Sequence, residues 1–203
     1  MCNENYVQPP VPDQDLDRVR EGVIRGIYRF KQSFSQTDQP DINLFGSGAI
    51  LNEALTAQEV LLSYGIQADV WSVTSYNELR RDAQSVERLN RLHPELTPQK
   101  SFLERSLGDS TAPIIAASDY MKSLPDSVAK YVNAPYTSLG TDGFGRSSTR
   151  EELRDFFEVS ADHIVFSALS QLLRDERISV SEFQKHVSQL NVDIEQLDPA
   201  TID

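Results

Sequence analysis

An α/β three-layer sandwich with a mainly parallel sheet and a helical C-terminal extension is the fold this sequence predicts. Three observations lead there. Between residues 42 and 139, short apolar runs alternate with segments whose apolar residues recur at helical spacing. Gly, Pro and Asp punctuate the joints between them. Beyond Arg150 the strand-like runs stop and only helical periodicity remains.

The first apolar positions, Leu16, Val19, Val23 and Ile27, have helical spacing, and Gly22 and Gly26 shorten the helix. An extended segment, Ile27 to Phe34, follows as a hairpin-like edge strand, and Gln36 to Pro40 reads as a polar turn. Ile42 to Phe45 is the first clear strand, running into Gly46–Ser47–Gly48. The helix from Ala49 to Tyr64 presents Ile50, Leu51, Ala54, Leu55, Leu61 and Leu62, and Gly65 closes it. Val70 to Val73 is the next strand. Ser75 with Glu78 has the capping-box pattern ahead of Leu79, Ala83, Val86 and Leu89.

His93–Pro94 and Thr97–Pro98 stop that helix, and Phe102 to Leu107 reads as a short helical turn. Pro113 to Ala117 is the third strand. Asp119 is read as the cap of a short helix through Tyr120, Met121 and Leu124, restarting after Pro125 through Val128 and Val132. Tyr136 to Leu139 is the last strand. It delivers the chain to TDGFGRSSTR, Thr141 to Arg150, where Ser148–Glu151 or Thr149–Glu152 can open a capping box. Leu153, Phe156 and Phe157 form a compact apolar anchor. Asp162 is expected to cap a helix bearing Ile164, Val165, Ala168, Leu169, Leu172 and Leu173, and Ser179–Glu182 to box another. These helices are expected at one end of the sheet, followed by a loose acidic tail from Asp193.

With 203 residues the chain makes one domain. We divide it into a Pro-rich linker (1–15), an α/β domain (16–190) and a polar tail (191–203). The linker, with Pro9, Pro10 and Pro12, suggests a module cut from a longer chain. A net charge of −12 argues against nucleic acid and against a basic membrane-surface helix. Cys2 is the lone cysteine, which excludes an intrachain disulfide and fits a reducing, cytoplasmic setting. The start has no signal-peptide pattern.

No motif carries catalysis by itself. GSGAIL lacks the third glycine of GxGxxG, and GxxxxGK[ST] is missing. Ser47 sits between glycines after a strand but does not meet GxSxG. His93, His163 and His186 have no ligand spacing, and HExxH is absent. Asp119 and Asp142 stand at strand ends, where turn and cap roles are commonest. Arg146 and Arg150 offer carboxylate, phosphate or interchain recognition; pairing with neighbouring carboxylates is an equal reading.

The stretches MCNENYVQPPVP, EGVIRGIYRF, LFGSGAIL, DVWSVTSYNELRRDAQSVERLNRLHP, AASDYMKSLPDSV and LGTDGFGRSSTREELRDFFEV occur in a telling order. In that order the sequence closely resembles the C-terminal domain of the homodimeric, bacterial-type pyruvate dehydrogenase E1 components of the transketolase superfamily. Asp142, Phe144, Gly145 and Ser147 match D-x-F-G-x-S. The resemblance implies a transketolase C-terminal-domain-like fold. It also implies a parent dimer that binds thiamine diphosphate and Mg²⁺ in other domains, decarboxylates pyruvate and acetylates a lipoyl group on the E2 acetyltransferase. This chain lacks the GDG…NN segment and the activating glutamate of that centre, so no catalytic, cofactor-binding or metal residue is assigned to it. The residues expected at its edge or interface are Ser47, Tyr76, Glu78, Asp142, Phe144, Arg146 and Arg150, facing the rest of its own chain and a second subunit. The alternatives are a self-assembling regulatory module with a small effector at the Ser47/Asp142 end of the sheet, or the same domain of another thiamine-dependent enzyme. An independent nucleotide-dependent oxidoreductase would need the phosphate loop that is missing.

Overall fold

A computed structural model describes residues 7–12, 15–33 and 39–201. Cys2 and most of the Gln36–Pro40 turn lie outside the described residues. Helix α1 (Leu16–Arg25) ends on Gly26 and turns directly into strand β1 (Ile27–Lys31). Strands β2 (Ile42–Gly46) and β3 (Ala68–Val73) are joined by α2 (Leu51–Ser63), which a short 3₁₀ turn at Gly48–Ile50 precedes. Helices α3 (Tyr76–Leu92) and α4 (Phe102–Leu107) lead to β4 (Ile114–Ala117), and a single turn, α5 (Ser123–Asp126), leads to β5 (Tyr136–Leu139). Three α-helices follow, α6 (Arg150–Phe156), α7 (Ala161–Arg174) and α8 (Val180–Val187), with a 3₁₀ turn at Pro199–Thr201.

The sheet order is β1-β3-β2-β4-β5. β2 pairs in parallel with β3 and with β4, and β4 with β5. β1 is the antiparallel edge, with Ile27 opposite Val73. The expected edge strand is therefore present, but its partner is β3 and not its sequence neighbour β2. Its attachment is polar as well as backbone. Buried Asp69 accepts from Arg29 Nη1 (3.1 Å) and from the Ser33 N–H (2.7 Å). An acceptor sealed this deeply requires such donors.

Side-chain alternation gives the sheet two apolar faces. Ile42, Leu44, Val70, Ile115 and Ala117 pack with α2 and α7 on one face. Ile27, Phe45, Trp71, Ile114 and Ala116 pack with Tyr76 and Leu79 of α3 and Leu103 of α4 on the other. Trp71 meets the polar requirement of its indole by donating to Asn43 Oδ1 at 2.8 Å.

Two expectations change. The longest C-terminal helix, α7, does not sit at the end of the sheet. Ile164, Val165, Ala168, Leu169 and Leu172 are a wide enough stripe for α7 to lie across a face beside α2. The tail is also less free than its acidity suggests: Pro199 is buried and Gln196 Nε2 donates to Phe156 O at 3.0 Å.

Candidate functional site at the carboxyl ends of the strands

Strand β2 is where the chain order reverses, since β3 lies on one side of it and β4 on the other. In open α/β sheets a crevice forms at that point. Here it is a cleft of about 640 Å³ between the starts of α2 and α3 and the Tyr120–Ser127 segment. Ser47 borders it, and its hydroxyl is bonded to Ser118 Oγ at 2.9 Å, which joins the ends of β2 and β4.

Tyr76 opens α3 and borders the same cleft, yet it is only 3% exposed and belongs to the core beneath. Burial pushes its phenol well above the ordinary range, as it does for Tyr136. Tyr136 donates to Pro125 O at 3.1 Å, and Tyr76 Oη is left without a well-aligned partner. Glu78 does not complete the expected capping box. Ser75 accepts from the Glu78 N–H at 3.2 Å, but the Ser75 N–H is taken by Gly26 O, so the Glu78 carboxylate turns to Arg81 at 2.6 Å.

The loops after β4 and β5 are laced together. Thr141 N–H donates to Tyr120 O (3.0 Å), Thr141 Oγ1 to Asp119 O (2.8 Å), and the Lys122 N–H to Asp142 Oδ1 (3.1 Å). Asp142 is thus a turn acceptor. Asp119 caps no helix, because α5 begins four residues later with Lys122 as its N-cap. Pro125 lies in the first turn of α5, where its missing N–H is tolerated, and a separate 3₁₀ turn follows at Ala129–Tyr131.

At Gly143 (φ +100°) a Cβ would stand 2.6 Å from Pro199 O, so the turn and the tail meet without room for a side chain. The turn then projects Phe144, 71% exposed, into solvent. The Arg146 guanidinium lies 5.1 Å from the centre of the Phe156 ring, a cation–π distance. Arg150 is the first residue of α6. Its cap is Thr149, which forms the full box with Glu152; Ser148 adds its hydroxyl to the same carboxylate. Glu152 is held below the usual carboxylate range chiefly by that Ser148 bond. Ser179 and Glu182 form the other expected box, but α7 is begun by Ser160, with Asp162 accepting from the Asn191 N–H at 2.9 Å.

The predicted residues therefore fall into two neighbouring groups. Ser47 and Tyr76 belong to the cleft, Phe144, Arg146 and Arg150 to the turn, and Asp142 to the lacing between them. Glu78 joins neither. Arg80 was missed by sequence reasoning. Its position one helical turn beyond Tyr76 was the available signal.

The transketolase-like TK C-terminal domain family matches residues 26–160, which contain all five strands of the sheet and its crossovers. The chain belongs to that family. As a transketolase C-terminal-like domain it is 42% identical over 201 residues to the pyruvate dehydrogenase E1 component of Pseudomonas aeruginosa, covering 98% of this chain and 22% of the relative. It is 40% identical over 199 residues to that of Escherichia coli, covering 97% and 22%. The chain thus spans about a fifth of these relatives. Among solved structures, a mutant transketolase from Pichia stipitis superposes with a TM-score of 0.54 at 19% identity, over 82% of this chain and 20% of that one. That likeness speaks for the fold. Helices α7 and α8 lie beyond the family match, and α7 nonetheless seals one face of the sheet.

His163 supplies a pH signature for this added layer. The Ser160 hydroxyl meets His163 Nδ1 at 2.8 Å. Burial pushes the His163 pKa down, against the opposing pull of Glu158, Asp155 and Asp162. Below about pH 6.5 the unfolded chain takes up this proton more readily than the folded one. The contribution is therefore intact above that pH and is lost as pH falls toward the depressed folded value. Urea unfolding at pH 7.5 and 5.5 should show a steeper loss for the natural sequence than for His163→Gln; equal losses would remove His163 as a cause.

Proposed function

We propose that this chain is the C-terminal domain of a pyruvate dehydrogenase E1 component, non-catalytic in itself, supplying scaffold and dimer contacts. The observation that carries the reading is identity of 34–42% to E1 components over nearly the whole chain. The parent enzyme would decarboxylate pyruvate with thiamine diphosphate and Mg²⁺ and pass the acetyl group to an E2 lipoyl arm, in the cytoplasm. The 1–15 segment would link this domain to the rest of its chain, 16–190 would form the domain, and 191–203 its polar tail. No described helix is long and apolar enough to cross a membrane.

The described residues do not fit the cofactor's cation. Among the described residues no three His, Cys, Asp or Glu side chains gather as ligands for a cation. No step of the reaction is therefore assigned to this chain. Calorimetric titration of the 203-residue chain with thiamine diphosphate and Mg²⁺ should give no binding heat. Micromolar affinity would overturn the non-catalytic assignment.

A further inference from the structure

The switch-point cleft differs in charge from the rest of the molecule. The protein carries −12, yet among the described residues no carboxylate borders this space of about 640 Å³. The charged group that does border it is Arg80. Its neighbour Arg81 is held by Glu78 at 2.6 Å, whereas Arg80 has no ion-pair, hydrogen-bond or ring partner among the described residues. In so acidic a chain, an arginine left unpaired beside a concave space is a ready anion receptor, because its fork of donors matches a carboxylate or phosphate.

The remaining wall is suited to an organic anion more than a bare ion. Tyr120 and Met121 are 64% and 57% exposed, and offer a ring face and a pliable thioether to a carbon skeleton. Asn77 and Ser123 add neutral polar groups. Asp119 lies next to Gly48, where a Cβ would come within 3.5 Å of its Oδ1, and it is not part of the cleft wall. Its charge disfavours an anion at the Gly48 end, so recognition of charge falls to the Arg80 end.

We propose that this cleft is a binding site for a small organic anion, its carboxylate or phosphate on Arg80 and its apolar part against Tyr120 and Met121. Backbone NMR of the 203-residue chain during titration with AMP and, separately, with benzoate tests it. Saturable shifts confined to the amides of Asn77, Arg80, Met121 and Ser123 are expected for at least one probe. AMP alone would identify a phosphate site and benzoate alone a carboxylate site. Arg80→Gln should weaken binding about tenfold or more, the scale of a lost charged hydrogen bond, with the rest of the spectrum unchanged. Arg81→Gln should leave it intact. Shifts that do not saturate, no shifts with either probe, or equal binding by Arg80→Gln would overturn the proposal.

Discussion

Glu53→Ala should lower the melting temperature by about 5–10 °C, the effect of losing roughly 2–3 kcal/mol in a chain of this size. Glu53 on α2 uses both carboxylate oxygens. One accepts from Arg154 Nη1 of α6 at 2.6 Å, and the other from the Ala161 N–H at the first residue of α7 at 2.9 Å. The two side chains are only 17% and 16% exposed. Truncation leaves an arginine largely cut off from water and a helix-start N–H without its acceptor, so the loss exceeds that of a surface pair. The residual exposure holds it at or just below the lower end of the range of about 3–5 kcal/mol for a broken buried pair. Glu59, whose contact with Lys31 is 3.4 Å and open to solvent, is the control. Glu59→Ala should stay within about 0.5 kcal/mol of the natural sequence. Thermal and urea melts of both variants measure this, and a Glu53→Ala protein melting within about 2 °C of the parent would refute the account of how α6 and α7 are held.

The sheet was readable because its signals are local. Ile42 to Phe45 and Pro113 to Ala117 are dense apolar runs between turn residues, and both became central strands. Caps were readable wherever the N–H being capped was free, as at Thr149 and Ser179. At Ser75 the reading went half wrong because a distant residue, Gly26, had already taken the N–H that Glu78 would have accepted. Where α7 would lie was not readable: its apolar stripe predicts burial, but only the fold shows that α2 leaves a sheet face open beside itself. The same limit applies to the candidate site. Ser47 and the Thr141–Arg150 turn were legible as strand-end features. The cleft was not, since it is made by three segments far apart in sequence, and Arg80 is one arginine among many until its carboxylate neighbours are seen to be occupied elsewhere.

The turn after β5 is the surface through which the proposed dimer contacts would run. Its backbone is fixed from behind by Gly143 against Pro199 and by Asp142 at the Lys122 N–H. What it presents outward is a solvated phenylalanine and, beside the Phe156 ring, an arginine. Aromatic and arginine side chains on a rigid support are the residue types that dominate interfaces, and truncating one at an interface centre commonly costs about 2 kcal/mol, or roughly thirtyfold in affinity. Both side chains lie at the surface, so Phe144→Asp and Arg146→Ala should leave the melting temperature of the isolated chain almost unchanged. Their effect should appear in association. The measurement is sedimentation equilibrium of the full-length protein that carries this domain, natural and variant, across nanomolar to micromolar concentrations. A dimer whose dissociation constant rises about tenfold or more in each variant is expected. Dimers of unchanged affinity in both variants would contradict it.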